Sequence, residues 1–170
     1  GGSDMTGGPL NESIILDFAS YYNTFLEIQR APSGDRGWAV VEPGMFYRDF
    51  EKATLTKNLL LPSYPASREL CTVGGMVANN AGGEKSLRYG KTDNYVEELT
   101  VVLSDGNEYV FKPLSLNELE QKKQQNDFEG EIYRKVYDLI EANYEIIQKA
   151  KPNVSKNSAG YALWDIYRSD

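Results

Sequence analysis

The segment from Ser63 to Gly90 is rich in glycine, alanine, asparagine and serine, and it contains few large apolar side chains. Glycine lets a ligand approach main-chain N–H groups closely. Thr72 can cap a helix that begins at Val73, and the first N–H groups of such a helix are expected to be unpaired and to favour an anion such as a pyrophosphate. Asn79 and Asn80 add amide donors and acceptors. The segment therefore predicts a site for a phosphate-containing ligand.

Tight packing between two elements is the alternative explanation for these small residues, and the composition alone leaves both open. The spacing is not the G-x-G-x-x-G pattern of dinucleotide-binding βαβ units, and no G-x-x-x-x-G-K-[ST] phosphate loop is present. Neither a Rossmann-type NAD site nor a P-loop nucleotide site is supported.

Histidine and cysteine, two residue types that often carry acid–base or transition-metal chemistry, are almost absent. The chain has no histidine and one cysteine, Cys71, which removes the commonest general base and the commonest transition-metal ligand. A redox role or a covalent flavin link at Cys71 is conceivable, but a buried, inert thiol is favoured. We therefore predict no catalytic residue and no metal site in this chain.

Charge and composition exclude other functions. Of the 170 residues, 41% are hydrophobic and 25% charged, as in soluble globular proteins. The net charge of −7 disfavours nucleic acid as a partner. No apolar run approaches the roughly 18 residues of a transmembrane helix, and the N-terminus lacks signal-peptide features, so a cytoplasmic location is predicted.

The pattern of apolar residues predicts an α+β fold, with an antiparallel-rich sheet flanked by helices. Asp105-Gly106 between two strand-like runs indicates a β-hairpin. The other predicted elements are strands at 13–17, 24–28 and 38–41, a helix at 46–56, a helical or loop-like polar stretch at 115–126, and a long helix from 131 to 149 that Pro152 ends.

Six segments carry a resemblance to a known family: Thr6-Gly7-Gly8, Trp38–Gly44, Pro65-Ala66-Ser67, Thr72–Gly83, Ser86–Gly90 and Ser158–Leu163. In this order they resemble the vanillyl-alcohol-oxidase-type flavoproteins. Within that group they are most similar to the FAD-linked D-2-hydroxyacid dehydrogenases, which include the FAD subunit of glycolate oxidase.

The resemblance implies that residues 1–170 form a partial FAD-binding domain, the second subdomain of a two-subdomain unit. The first subdomain, the substrate cap and the C-terminal region are expected to be absent. FAD is the implied cofactor. Its implied contacts are Gly1, Gly2, Ser3, Asp4, Thr6, Gly7, Pro65, Ser67, Thr72, Val73, Gly74, Gly75, Asn79, Ala81, Gly82 and Tyr161.

The implied activity of the full-length protein is oxidation of a D-2-hydroxyacid of the lactate, glycolate or 2-hydroxyglutarate type to the 2-oxoacid. The implied partners are this small-molecule substrate and an electron acceptor or an iron–sulfur region. Two alternatives stay open. The chain could be a non-catalytic module that binds a nucleotide or a protein, or part of a flavin-dependent alcohol or sugar oxidase of the same superfamily.

Overall fold

A computed structural model describes residues 1–3, 5, 7–8, 10–154, 157 and 161–166. The chain divides into two compact units, Gly1–Val96 and Glu97–Asp170. Helices and one small antiparallel sheet occur in each unit, which confirms the predicted α+β class.

The first unit is built around a two-stranded sheet and four short helices. Its strands pair antiparallel with Ile28 opposite Ala39, and a bulge interrupts the register between Phe25 and Glu27. The elements in chain order are α1 (Phe18–Tyr21), β1 (Phe25–Arg30), β2 (Gly37–Val41), α2 (Tyr47–Leu55), α3 (Val73–Ala78), α4 (Ser86–Tyr89) and a 3₁₀ helix (Thr92–Tyr95).

Aromatic side chains dominate the core of this unit. Tyr47 is fully buried, and its ring centroid lies 5.9 Å from that of Phe50 and 5.6 Å from that of Tyr64. Its hydroxyl donates to the Leu61 carbonyl at 2.7 Å, and burial raises the pKa of Tyr47, so this donor keeps its proton. The core residues are Met45, Tyr47, Phe50, Tyr64, Cys71, Met76 and Ala81.

The second unit contains the predicted hairpin, and its turn includes Gly106 at a φ of 80°. A capping box between Ser115 and Glu118 starts the next helix. The nearly buried Glu129 carboxylate pairs with Lys122 at 2.6 Å. The elements are β3 (Leu99–Val102), β4 (Glu108–Phe111), α5 (Leu116–Lys123), α6 (Phe128–Ala142), α7 (Tyr144–Lys149) and a 3₁₀ helix (Leu163–Asp165).

The predicted strand at 13–17 is wrong. This stretch has no regular structure, and Ile14 and Leu16 are 89% and 72% exposed. A strand needs a neighbouring main chain for its hydrogen bonds, and among the described residues none pairs with this stretch. Its last residue, Asp17, instead caps α1 by accepting from the N–H groups of Ala19 and Ser20.

The continuous helix predicted for 131–149 is also wrong in part. It starts earlier, because Asp127 caps α6 by accepting from the Gly130 N–H, and it breaks at Asn143, which ends α6 and precedes α7. Within the described part of the chain, α6 is the longest helix at 15 residues, and no helix has the length and apolarity to cross a membrane.

We predict that Tyr47→Phe lowers the free energy of unfolding of this chain by about 1 kcal/mol, because the Leu61 carbonyl loses its donor. Tyr21→Phe serves as the control, since Tyr21 is 83% exposed, and it should leave stability unchanged. Urea unfolding followed by circular dichroism measures both. Equal midpoints for Tyr47→Phe and the unsubstituted chain would contradict the prediction.

Candidate functional site

An open groove runs along α3 in the first unit. Two adjacent cavities, of about 670 Å³ and about 550 Å³, make up its halves. Both are within the range of roughly 300–1,000 Å³ typical of ligand pockets. The halves share the lining residues Gly1, Gly2, Thr72, Gly75 and Ala78, so we treat them as one site.

The first residues of the chain form one wall of the groove. Gly1, Gly2 and Ser3 are exposed and line the larger cavity. Gly2 and the nearby Gly7 have φ values of 68° and 74°, which L side chains rarely adopt. A Cβ on either would meet no atom of the described residues within 4 Å. These glycines are therefore required by backbone conformation rather than by packing, and the main chain around them is open.

Thr72 caps α3 as predicted, with its Oγ1 accepting from the Gly75 N–H at 3.2 Å. The other N–H groups of the first turn are also paired, since Val73 donates to the Met45 carbonyl and Gly74 to the Pro43 carbonyl, each at 2.8 Å. The expectation that these N–H groups are unpaired and favour an anion is therefore wrong. The physical reason is that a neighbouring loop brings its carbonyls to this helix end.

The two neighbouring glycines of α3 differ in their surroundings. A Cβ on Gly74 would lie 2.5 Å from Pro43 Cβ and 2.8 Å from its carbonyl oxygen, so Gly74 permits close packing. Gly75 is exposed, and the one described atom near its Cβ position is Thr72 Oγ1 at 3.0 Å. The packing explanation therefore holds for Gly74, whereas the ligand explanation stays a prediction for Gly75.

The neighbouring asparagines differ in the same way. Asn79 is exposed at the end of α3 and lines the larger cavity. Asn80 adopts a φ of 41°, and its Oδ1 accepts from the Asp93 N–H at 3.0 Å. Asn79 therefore has an amide available to a ligand, whereas the amide of Asn80 holds a turn.

Of the other predicted site residues, Pro65, Ser67 and Ala81 line the larger cavity. Gly82 lines neither cavity, because a Cβ there would lie 2.5 Å from Ser86 Oγ. Val73 and Gly7 also line neither. Tyr161 belongs to the second unit and is 91% exposed. Two further predicted contacts, Asp4 and Thr6, lie outside the described residues.

Sequence reasoning missed several lining residues. Ala78 follows Gly75 by three positions and so lies on the same helix face. This spacing could have identified Ala78 as a lining residue. The apolar side chains before α1 were missed because they were assigned to a buried strand. The missed residues are Met5, Cys71, Met76 and Ala78 in the larger cavity, and Ile15, Leu16, Asp17, Phe18, Ala19, Pro43 and Ala78 in the smaller one.

Two lining side chains of the groove are titratable in the described part of the chain. Asp17 accepts a hydrogen bond from the Ser20 hydroxyl, which lowers the pKa of its carboxyl group. Cys71 is 4% exposed, and burial raises the pKa of its thiol. A carboxylate held as a helix cap and a protonated thiol are poor bases. Neither of these two described groups is therefore suited to accept a proton.

Three known proteins show what this chain is similar to in sequence. The D-2-hydroxyglutarate dehydrogenase of Pseudomonas putida is 29% identical over 96% of this chain and 16% of its own length. The D-lactate dehydrogenase of Archaeoglobus fulgidus is 37% identical over 62% of this chain and 23% of its length. Glycolate oxidase subunit GlcD of Bacillus subtilis is 35% identical over 62% of this chain and 22% of its own length.

The chain thus spans less than a quarter of the length of these relatives. A family model described as an FAD binding domain matches residues 1–111, which is more than half of the chain. The chain therefore belongs to this family of FAD-binding domains, and its cofactor is FAD.

Proposed function

We propose that the full-length protein oxidises a D-2-hydroxyacid to the corresponding 2-oxoacid, and that this chain is the second subdomain of its FAD-binding unit. The observation that carries the proposal is the groove along α3, where bare backbone and small side chains leave room for a dinucleotide. The relatives named for D-2-hydroxyglutarate, D-lactate and glycolate support the substrate class.

The groove residues fit FAD by three features. On the exposed face of α3, Gly75 has no side chain and Ala78 has only a methyl group, which leaves space beside the helix. Gly2 leaves the main chain of the opposite wall uncovered, and Asn79 presents a polar amide. We propose as FAD contacts nine predicted residues that line the groove: Gly1, Gly2, Ser3, Pro65, Ser67, Thr72, Gly75, Asn79 and Ala81. Gly74 also lines the smaller cavity, but its Cβ position faces Pro43, so it stays a prediction as a contact. Asp4, Thr6, Gly7, Val73, Gly82 and Tyr161 stay predictions of the sequence analysis.

FAD supplies the hydride acceptor for oxidation of the hydroxyacid. The residues of this chain bind and orient. Met76 and Cys71, both buried, close the floor of the larger cavity against water. Because the described lining residues offer no general base, the substrate hydroxyl proton is taken up by a group beyond this groove. A cytoplasmic location, and an electron acceptor or iron–sulfur region as redox partner, stay predictions.

The activity is tested on the full-length protein with D-lactate, glycolate and D-2-hydroxyglutarate, using a dye as electron acceptor and L-lactate as control. We expect turnover with at least one of the three acids, and none from the 170-residue chain supplemented with FAD. Bound flavin with no turnover of any hydroxyacid would favour an alcohol or sugar oxidase. A full-length protein that binds no FAD would favour the non-catalytic module.

We predict that Gly75→Val and Gly74→Val have different effects in the full-length protein. Gly75→Val should lose bound FAD, because its side chain enters the groove, whereas the fold is retained. Gly74→Val should lower the melting temperature, because an overpacked contact with Pro43 costs about 1–3 kcal/mol. The flavin-to-protein absorbance ratio and the melting temperature are measured on the same preparations. A folded, fully flavinated Gly75→Val protein would remove Gly75 from the site.

We predict that the flavin is not covalently attached through this chain. Burial favours the protonated thiol of Cys71, and the chain has no histidine to serve instead. Acid precipitation of the full-length protein should therefore release all the flavin into the supernatant. Yellow peptide material containing Cys71 after proteolysis of the pellet would show the opposite.

A further inference from the structure

The turn that follows α3 is held by the segment at the start of the 3₁₀ helix. The Ala81 carbonyl accepts two hydrogen bonds from Thr92, one from its N–H at 3.0 Å and one from its Oγ1 at 2.8 Å. The next N–H, that of Asp93, donates to Asn80 Oδ1 at 3.0 Å. The other described hydrogen bonds of this turn run back to α3 itself.

The hydroxyl of Thr92 is in a buried polar cluster. Thr92, Ser63 and Ala81 are 3%, 0% and 8% exposed. Ser63 Oγ lies 3.3 Å from Thr92 Oγ1. The Thr92 hydroxyl has one proton, and the shorter contact favours its donation to the Ala81 carbonyl. The Thr92 oxygen can then accept a hydrogen bond from the Ser63 hydroxyl.

The turn begins at the groove residue that follows α3. Asn79 is the C-cap residue of α3, its side chain is exposed and lines the larger cavity, and Asn80 after it adopts a left-handed conformation. On the helix side, the N–H of Asn79 donates to the Gly75 carbonyl. On the other side, Thr92 and Asp93 hold the two residues that follow Asn79, through hydrogen bonds to Ala81 and Asn80.

We propose that Thr92 is a positioning residue for the FAD site, acting through the Ala81 carbonyl to place the Asn79 amide in the groove. This rests on the proposed assignment of the groove to FAD. Thr92 itself lines neither cavity, so it contributes to FAD affinity without touching FAD.

The test is FAD affinity of the full-length protein, measured by flavin fluorescence quenching of the apoprotein. Thr92→Val, which keeps the shape and removes the hydroxyl, should raise the FAD dissociation constant by about tenfold, or about 1.4 kcal/mol. Thr92→Ser, which restores the hydroxyl, should bring it back to within about threefold of the unsubstituted value. Loss with valine and recovery with serine assigns the effect to the hydrogen bond.

Thr54→Val is the matched control, because Thr54 is equally buried and its hydroxyl donates to the Glu51 carbonyl in α2, away from the groove. It should lower the melting temperature as Thr92→Val does, yet leave the dissociation constant unchanged. If the two variants lower the melting temperature alike and neither changes FAD affinity, Thr92 is a structural residue and the proposal is wrong.

A double-mutant cycle tests the route through Asn79. In an Asn79→Ala background, Thr92→Val should change the dissociation constant by less than about threefold, because coupled residues are not additive. If Thr92→Val still raises the dissociation constant about tenfold in the Asn79→Ala background, Thr92 does not act through Asn79. If Thr92→Val does not fold, Ser63→Ala decides, with an increase of about threefold expected and no change overturning the proposal. Failure of the unsubstituted protein to bind FAD would instead contradict the site assignment.

Discussion

Main-chain hydrogen bonds between the loop after β2 and the segment that enters α3 fix the position of this helix. Pro43 and Met45 offer carbonyls to the first two N–H groups of α3, and the N–H of Tyr47 donates to the Cys71 carbonyl. Because Tyr47 is a fully buried residue of the core, this pairing connects the helix directly to the core of the unit. The groove exists because α3 is held here while its other face is left uncovered.

That constraint explains why small residues occur on both faces of α3. On the inner face, Gly74 lets the main chain come within van der Waals contact of Pro43, and any Cβ would push the helix away from its acceptors. Gly75 and Ala78 line the groove, and the one described atom near a Cβ on Gly75 would be Thr72 Oγ1 at 3.0 Å. The small residues of this helix thus combine close packing at Gly74 with an open surface at Gly75 and Ala78.

Local features were predictable from the sequence, and features that depend on a distant partner were not. The Thr72 cap, the Asp105-Gly106 hairpin and the helix at 46–56 follow from chemistry within a few residues. The stretch at 13–17 has a strand-like composition but no pairing partner among the described residues. The strand predicted from its composition is therefore wrong. The hydrogen bonds between the first N–H groups of α3 and the carbonyls of the β2–α2 loop could not be predicted either. No residue near Val73 in the sequence indicates which loop will pack against this helix end.

The paired N–H groups of α3 also change how an anionic cofactor is held. No lysine or arginine is among the described residues that line the groove, and the net charge of the chain is −7. Under the proposed assignment, a pyrophosphate in this groove would therefore rely on main-chain donors of the opposite wall around Gly2, where a φ of 68° and the missing side chain leave the main chain open to a ligand. In this proposal α3 supplies shape and the Asn79 amide, whereas the wall at Gly1 and Gly2 supplies main-chain N–H groups. A lysine would add charge but also a flexible side chain to order. Main-chain donors avoid that side-chain entropy cost, and this is a physical reason for the proposed cofactor wall to be made of glycine rather than of basic residues.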